Sequence, residues 1–450
     1  METDHFEQQE DTSSKGKRIH EIGEERQRAL LLVIMENNED KPHAQIRGEE
    51  LASLVETMGP LVISTTYIPL RENTSATLIG SGKVQQVKAM ADQETPDLII
   101  FDHSLNPRVQ RNLEKELDCC VIDRDEVILQ IFADRAATKE SVLQVELARL
   151  EYSLPRLSRR WANLSQQRGG VKGSKGEGET QLELDHRQIK EKIVLLKDQL
   201  KKVQQQRSIQ RNQRMNGNIP MGAIVGYTNS GKSSLLNALS NAGVLVEDKL
   251  FATLDPTTRM VKLPGGEEIL LSDTVGFVSD LPHNLVDSFK STLEEAKFAD
   301  FLIIVCDASH PDMINCYKTT VTVLEELGCT EKPAIVMINK TDAIYDQFMV
   351  ARMESLYSPT IETSVKLGTG LNELLAQIGE TIHALCPTTH YRIPDSRYDL
   401  IAHIRRSGQI ETIDYTDNGM EVGARIQKRF QGPLEEFRMK QENPQIDNPL

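Results

Sequence analysis

The sequence predicts an α/β protein built around a P-loop domain. Short apolar runs alternate with helical patterns in two stretches, a phosphate-loop motif opens the second stretch, and leucine-rich heptad seams lie between the two. A small parallel α/β domain with an antiparallel helical hairpin should come first, and a small β-containing domain last. We therefore expect five segments: a disordered leader at 1–28, an N-terminal α/β domain at 29–137, the hairpin and its linker at 138–218, the P-loop domain at 219–386, and the C-terminal domain with a polar tail at 387–450.

The composition excludes several classes of protein. Of the 450 residues, 39% are hydrophobic and 26% are charged, which is typical of a globular chain that buries several cores without disulfides. The six cysteines form no CxxC pair and the histidines no HExxH motif, so we predict neither a disulfide framework nor structural zinc. The first apolar run, at 29–35, is too short for a signal peptide or a membrane span.

The N-terminal domain shows short apolar runs bounded by turn residues, and this alternation with helices predicts a parallel sheet. The runs lie at 30–35, 61–64 and 98–101, and the helical patterns at 49–58, 83–90 and 108–117. The segment Gly80-Ser81-Gly82-Lys83 resembles a second phosphate loop, but Thr77 stands where the Walker pattern needs glycine. A turn before a helix at Lys83 is therefore favoured over an ATP site.

Two heptad-type seams predict the helical hairpin. They run through Leu143, Leu147, Leu150 and Leu154, and through Ile189, Ile193, Leu196, Leu200 and Val203. The break between them has five glycines in ten residues: Gly169, Gly170, Gly173, Gly176 and Gly178. We interpret the polar stretch 204–218 as a linker.

The charge of the hairpin differs from that of the whole chain. The net charge of −15 argues against a nucleic-acid partner, but binding depends on local patches. Residues 149–176 hold seven Lys/Arg and one acid, and residues 187–214 hold nine and two. An ordinary coiled hairpin has mixed charge, so basic arms favour an RNA contact over a solvated face. Trp161 is either a core residue or a platform that stacks on a base.

A phosphate-loop motif opens the P-loop domain. It follows the apolar run 223–225, precedes a helical pattern at 234–239, and reads Gly226-Tyr227-Thr228-Asn229-Ser230-Gly231-Lys232-Ser233. In such a loop backbone N–H groups converge on the β-phosphate, the lysine neutralises the β and γ oxygens, and the serine hydroxyl binds Mg²⁺. Further buried strands are expected at 269–271, 302–305 and 334–338.

Three later loops predict guanine nucleotide. Asp273-Thr274-Val275-Gly276 offers a carboxylate near Mg²⁺ and a flexible glycine for the γ-phosphate. Asn339-Lys340-Thr341-Asp342 offers a carboxylate that accepts from guanine N1–H and its 2-amino group, donors that adenine lacks there. Ser364-Val365-Lys366 would close over the base from the following loop.

The residues between these loops leave two questions open. A threonine must also reach Mg²⁺, and Thr253, Thr257 and Thr258 compete for that role on spacing alone. Phe277 follows Gly276 at the place of the water-orienting glutamine of Ras-like GTPases, so intrinsic hydrolysis should be slow. Another side chain, a cation or a partner must replace it. Asn229 either binds an activating K⁺ or makes a hydrogen bond inside the loop.

Beyond residue 387 the pattern changes. Residues 400–405 and 410–415 mix apolar and polar side chains at short intervals. Asn418-Gly419 is a hairpin-turn signal before the apolar run 422–426, which predicts the small β-containing domain.

From about residue 30 to 385 the sequence resembles the HflX family of translational GTPases. The resemblance is carried by GYTNSGKSS (226–234), FATLDPTTR (251–259), DTVGF (273–277) and NKTD (339–342), and upstream by FDHSLNPRVQRNLE (101–114), QVELARLEYSLPRL (144–157) and RGGVKGSKGEGETQLE (168–183). It implies a ribosome-associated GTPase that binds the large subunit and helps to split stalled or idle ribosomes, and it favours Thr253 as the magnesium ligand. Val365 departs from the family's usual alanine, and nothing transfers to the C-terminal domain.

We therefore expect a GTPase that converts GTP to GDP and phosphate, with Lys232, Thr253 and Gly276 as catalytic candidates and Mg²⁺ on Ser233 and Thr253. The expected nucleotide contacts are the residues of the four loops above together with Ser234, Phe251, Ala252, Leu254 and Asp255. The expected partners are GTP or GDP, the large ribosomal subunit and its RNA, and not DNA. We expect a monomer in the cytoplasm, without stable membrane insertion, that reaches a membrane only through ribosomes. The alternative is a GTP-controlled protein-binding switch that uses the hairpin as a coiled-coil surface.

Overall fold

The computed structural model describes residues 26–35, 41–70, 76–157, 177–215, 219–240, 250–251, 253–278, 295–416, 419–426 and 430–439. Several predictions fall outside these residues: most of the leader, the hairpin tip at 158–176 with Trp161, Ala252, Asn418 and the polar tail.

The N-terminal domain is a four-stranded parallel sheet with helices, in the strand order β2-β1-β3-β4. Its elements are β1 (Arg28–Met35), α1 (Lys41–Met58), β2 (Leu61–Pro69), α2 (Ser81–Glu94), β3 (Leu98–Phe101), α3 (Pro107–Leu117) and β4 (Cys120–Asp123). The three predicted strands and three predicted helices are confirmed. The turn predicted before Lys83 is wrong, because Gly80 is an extended N-cap and Gly82 already lies in α2. The sequence reasoning missed β4, which is only four residues long and lacks alternating polarity.

The helical hairpin is confirmed. After α4 (Arg124–Arg135), the chain forms α5 (Lys139–Ser153) and α6 (Glu177–Met215). The predicted seams of α5 and α6 pack against each other in one hydrophobic cluster that extends to Leu154. Glu140, at the start of α5, binds Arg207 near the end of α6 at 3.0 Å, so the helices run antiparallel.

The linker predicted at 204–218 is wrong as far as Met215, because α6 continues to that residue. Glutamine, lysine and arginine are good helix formers, and no glycine or proline interrupts residues 179–216. Polarity alone therefore did not indicate a loop.

The P-loop domain is a six-stranded sheet in the order β10-β9-β8-β5-β7-β6, in which only β6 pairs antiparallel among the described strands. Its elements are β5 (Met221–Gly226), α7 (Lys232–Ser240), β6 (Thr257–Lys262), β7 (Glu268–Asp273), β8 (Phe301–Asp307), α8 (Met313–Glu326), β9 (Ala334–Asn339), α9 (Gln347–Leu356), β10 (Thr360–Glu362) and α10 (Leu371–Leu385). The predicted strands are all present. Two edge strands were missed, because β6 is largely polar and β10 has only three residues.

The C-terminal domain is a three-stranded antiparallel sheet, β11-β13-β12, packed against one helix. Its elements are β11 (Thr388–Ile393), α11 (Tyr398–Ser407), β12 (Gly408–Thr416) and β13 (Gly419–Ile426). Residues 400–405 thus lie in a helix, and residues 410–415 lie in a strand. No helix in the described ranges is long and apolar enough to cross a membrane.

The N-terminal and P-loop domains share one hydrophobic core. Four side chains from two loops of the P-loop domain pack among residues of α1, α4 and α5: Phe251, Leu254, Val275 and Val278. The rings of Phe132 in α4 and Phe251 meet edge to face, with centroids 4.7 Å apart. The two loops that flank the phosphate site are therefore held against the N-terminal domain.

Candidate nucleotide site

The phosphate loop connects β5 to α7 and forms one wall of a cavity of about 380 Å³. The cavity brings together thirteen predicted site residues from three separate segments: Thr228, Asn229, Gly231, Lys232, Ser233, Ser234, Phe251, Thr253, Leu254, Asp255, Asp273, Thr274 and Gly276. Because the loop leads into the N-terminus of α7, its N–H groups and the helix dipole favour a bound anion. The arrangement suits a polyphosphate.

The structure distinguishes between the three candidate threonines. Thr253 Oγ1 lies 2.7 Å from Ser233 Oγ, which also donates to Asp273 Oδ2 at 2.7 Å. Thr257 and Thr258 lie in β6, where the Thr258 hydroxyl bonds instead to Ser272 at 2.9 Å. Only Thr253 completes a cluster of three oxygen-bearing side chains, the type of ligand that Mg²⁺ requires.

Three buried oxygens test whether nucleotide and magnesium fit this cavity. Asp273 Oδ1, Thr228 Oγ1 and Ser230 Oγ have no hydrogen-bond partner within the described residues. Buried polar atoms are normally bonded, so each such oxygen needs an explanation. Asp273 Oδ1 can accept from a magnesium-bound water, and the hydroxyls lie on the phosphate loop. The residues fit Mg²⁺ and a phosphate chain.

Lys232 and Asp273 are both removed from water. Burial lowers the pKa of Lys232 to about 8, and the nearby Asp273 carboxylate opposes that shift. Burial likewise raises the pKa of Asp273, against the effect of Lys232. The lysine ammonium donates to the backbone oxygen of Tyr227 at 2.6 Å. A phosphate chain would supply the negative charge that keeps this buried ammonium protonated.

Gly276 lies tightly against the phosphate loop. A Cβ at this position would lie 2.8 Å from Thr228 Cα and 2.9 Å from Lys232 Nζ. Any other residue would therefore push the loop away from the lysine.

The loops predicted to read guanine are held together by side-chain hydrogen bonds. Asn339 donates to Ser230 O at 2.9 Å and accepts from Val365 N at 3.1 Å, which joins the phosphate loop to the 364–366 loop. Ser364 Oγ donates to Asp342 Oδ1 at 2.6 Å, and this bond lowers the pKa of Asp342. Asp342 therefore remains a charged acceptor, while Lys340 binds Asp307 at 2.7 Å.

Some predicted contact residues use their side chains in contacts with the N-terminal domain. The Tyr227 hydroxyl donates to Glu50 in α1 at 2.5 Å. Phe251, Leu254 and Val275 belong to the shared core. The Asp255 carboxylate accepts from the backbone and hydroxyl of Thr138 at the start of α5. The side chains of these residues are engaged in these contacts, so a nucleotide would meet their backbone groups instead.

Phe277 carries no polar group and is almost fully buried, with 1% of its surface exposed. Its backbone pairs with the phosphate loop: Thr228 N donates to Phe277 O at 2.7 Å, and Phe277 N to Gly226 O at 3.1 Å. Its ring packs in the core of the P-loop domain. No water-orienting amide stands at this position.

Sequence reasoning missed the contribution of the N-terminal domain. Arg135 and Ala137, at the junction of α4 and α5, line the cavity beside Arg259 of β6. They precede the phosphate loop by about ninety residues, and no motif joins them to it. Spacing could not have revealed them.

Three family models match the chain. One described as the N-terminal region of GTP-binding GTPases matches residues 45–133, one described as their middle region matches 135–214, and one described as a 50S ribosome-binding GTPase matches 221–340.

Relatives extend the match over nearly the whole chain. GTPase HflX of Treponema denticola is 52% identical over 345 residues, which is 75% of this chain and 88% of that protein. GTPase HflX of Akkermansia muciniphila is 42% identical over 431 residues, which is 93% of this chain and 98% of that protein. The chain belongs to the HflX family of GTPases.

This HflX-family protein is therefore a GTP-binding GTPase. P-loop GTPases use Mg²⁺ with the nucleotide. Among solved structures, a GTP-binding protein of Sulfolobus solfataricus in complex with GDP is 29% identical, covers 79% of this chain and 98% of its own, and has a TM-score of 0.43.

Proposed function

We propose that this HflX-family GTPase binds the large ribosomal subunit through its helical hairpin, dissociates stalled or idle ribosomes, and hydrolyses GTP faster on the ribosome. The observation that carries the proposal is a long helical hairpin in which most of the excess positive charge belongs to residues 158–176, between its two helices in the sequence. The matching family model described as a 50S ribosome-binding GTPase supports the same partner.

Charge is unevenly distributed along the hairpin. Residues 139–157 and 183–207 together hold ten Lys/Arg and seven Asp/Glu, whereas residues 158–176 hold five Lys/Arg and no acid. Most cations of the arms are ion-paired, as Arg156–Asp123, Arg187–Glu191, Lys192–Glu146, Lys197–Glu151, Lys202–Asp198 and Arg207–Glu140. An RNA contact should therefore depend on residues 158–176 more than on the arms at 139–157 and 183–207.

The base of the hairpin is fixed to the N-terminal domain. Arg156 donates to Leu105 O at 2.7 Å and to Gln110 at 2.9 Å, and its guanidinium lies 3.6 Å from the Tyr152 ring centroid. This cation is used structurally and is not available to RNA. A fixed base lets the hairpin transmit a contact made at its far end.

The hairpin can communicate with the nucleotide site directly. Asp255, two residues after Thr253, accepts hydrogen bonds from Thr138 N at 3.0 Å and from Ser141 Oγ at 3.3 Å in the first turn of α5. A shift of α5 on the ribosome would move the segment that carries Thr253. Helix α6 also leads into the P-loop domain, but α5 offers a shorter route to Thr253.

Within this proposal the site residues take the roles given by their geometry. Lys232 neutralises the β and γ oxygens, Ser233 and Thr253 hold Mg²⁺, and Gly276 offers its N–H to the γ-phosphate. Asp342 reads guanine. Asn229 adds K⁺ as a candidate second cation.

The coiled-coil alternative has little support in the hairpin. Both predicted seams are buried against each other, so neither is available to pair with another helix. Ribosome binding and protein pairing also differ in salt dependence, because counterion release makes RNA affinity fall steeply as salt rises.

The proposal is tested by single-turnover GTP hydrolysis with and without purified large subunits. We expect subunits to stimulate the rate at least about tenfold, equivalent to roughly 1.4 kcal/mol of barrier. Replacing Arg159, Arg160, Arg168, Lys172 and Lys175 by glutamine, or deleting residues 169–176, should abolish the stimulation and leave the basal rate intact.

The matched control replaces the same number of arm cations: Arg187, Lys190, Lys197, Lys201 and Lys202. It should retain most of the stimulation. Equal loss in both charge variants would return the contact to the arms, and no stimulation of the unaltered protein would contradict the ribosomal role.

A further inference from the structure

Phe277 has no polar group that could act on the transferring phosphoryl group, so another side chain must do so. Three cationic side chains line the described part of the cavity: Lys232, Arg259 and Arg135. Lys232 belongs to the phosphate loop, and Arg259 is an exposed residue of edge strand β6. Arg135 is half-buried and comes from the N-terminal domain, as the last residue of α4.

Contacts on both sides of Arg135 hold it beside the cavity. Phe132 lies three residues earlier on the same face of α4, and its ring packs on Phe251. After Arg135, Asp255 accepts from Ala137 N at 3.2 Å and from Thr138 Oγ1 at 2.6 Å. Residues 132–138 and 251–255 are thus joined at both ends.

Thr253 lies midway between Phe251 and Asp255, as Arg135 lies between Phe132 and Thr138. The two segments therefore place the predicted magnesium ligand and the arginine on the walls of one cavity. A guanidinium is always charged and presents a planar fork of donors that matches phosphate oxygens. Its position suits a phosphate group better than the edge-strand position of Arg259.

We propose that Arg135 is a catalytic residue, supplied by the N-terminal domain of the same chain, that contacts the γ-phosphate of GTP. In the reaction a water oxygen bonds to the γ-phosphorus while the bond from phosphorus to the β–γ bridging oxygen breaks. GDP leaves with the bonding electron pair, and the proton lost by water goes to the released phosphate. Arg135 stabilises the negative charge that develops on the bridging and γ oxygens.

This role explains how hydrolysis proceeds with Phe277 in place of a glutamine. It also makes turnover depend on the contact between the two domains, since α4 carries the arginine. The inference concerns basal GTP hydrolysis and holds whether or not the ribosome is the partner.

The test measures single-turnover hydrolysis and GDP affinity for Arg135→Ala, Arg135→Gln and Arg135→Lys in the full chain. The Ala and Gln variants should hydrolyse GTP at least about tenfold more slowly, and Lys should retain part of the rate. GDP affinity should change by less than about twofold, because the contact is to the γ-phosphate. Lys139→Ala, an exposed cation in the first turn of α5, is the matched control and should leave both quantities unchanged.

A second readout uses GDP with aluminium fluoride, which imitates the transferring phosphoryl group. Arg135→Ala should lose at least about tenfold in affinity for that complex while keeping GDP. An unchanged rate in Arg135→Ala would overturn the proposal. So would an equal fall in rate and GDP affinity, which would show a structural role, or a loss confined to Arg259→Ala, which would assign the contact to β6.

Discussion

In each of the two α/β domains a parallel strand ends in a buried aspartate, but the two carboxylates differ in how fully they are hydrogen-bonded. Asp123, at the end of β4, accepts from Leu105 N at 2.9 Å, Glu126 N at 3.0 Å and the Tyr152 hydroxyl at 2.8 Å, and it is paired with Arg156. Asp273, at the end of β7, is equally buried but keeps one oxygen without a partner among the described residues.

The difference lies in what covers the carboxyl edge of each sheet. In the N-terminal domain, Tyr152 and Arg156 from the base of the hairpin fill that edge. In the P-loop domain, a glycine-bearing loop leaves a cavity there. Parallel sheets bind ligands at this edge, and within the described residues the edge of the second sheet is the one that opens on a donor-rich phosphate loop.

The largest effect should follow from disrupting the open edge. Lys232→Ala should lower single-turnover hydrolysis about a hundredfold while weakening GDP binding much less, because the ammonium acts partly on the γ-phosphate. Ser233→Ala should weaken binding of magnesium–GTP, because it removes a predicted ligand. Titration of both nucleotides with and without magnesium measures these effects. Normal hydrolysis in both variants would place catalysis in another part of the molecule.

Base recognition should be altered next most strongly by Asp342→Asn. The amide can donate to the 2-oxo group of xanthine, so preference should move from GTP toward xanthosine triphosphate by about tenfold or more. Competition between the two nucleotides measures the change. Asp346→Asn, at the cap of α9, is the control. A variant that still prefers GTP would show that Asp342 does not read the base.

A substitution at the carboxyl edge of the N-terminal sheet should change the stability of the protein and not its nucleotide affinity. Arg156→Gln leaves the buried Asp123 carboxylate without its cation and should lower the free energy of unfolding by about 2 kcal/mol. Arg187→Gln, which breaks an exposed pair with Glu191, should cost close to nothing. Urea unfolding followed beside GDP affinity separates the two effects. A loss of GDP affinity without loss of stability would contradict the comparison.

The smallest expected effect concerns the second cation. Asn229 is exposed at the cavity with a φ of 57°, a conformation in which asparagine is common. Replacing Na⁺ by K⁺ should raise hydrolysis about threefold, roughly 0.7 kcal/mol of barrier. Asn229→Gly, which allows the positive φ but removes the amide, should abolish the difference. Equal rates in the two salts would leave Asn229 a conformational role only.

The sequence was most informative where function is concentrated in short contiguous loops. The loops around Lys232, Asp273 and Asp342 could be found because each has a compact pattern after an apolar strand. The heptad seams were predicted for a similar reason, since their periodicity is local. Strand β4 was missed because it has only four residues. The last turns of α6 were interpreted as a linker because they are polar, although their residues are good helix formers.

The remaining features depend on contacts between distant segments. Spacing could not choose Thr253, since the decision rests on its distance to Ser233 in the folded chain. Arg135 gave no signal, and Asp255 was predicted only as a nucleotide contact, because the contacts of both between the domains arise from the packing of one domain on another. Phe277 was recognised as a departure, but its backbone pairing with the phosphate loop required the structure.

Helix α6 has 39 residues and therefore spans about 58 Å at 1.5 Å per residue. Near its C-terminal end, Arg207 binds Glu140 of the hairpin and Glu295 of the P-loop domain, at 3.0 and 2.8 Å. Glu177, at the opposite end, is about 45 Å from Arg207 along the helix, so a tilt of about 10° around that anchor would displace it by roughly 8 Å. The helix therefore acts as a lever: a small rotation beside the P-loop domain becomes a displacement of several ångströms at its opposite end.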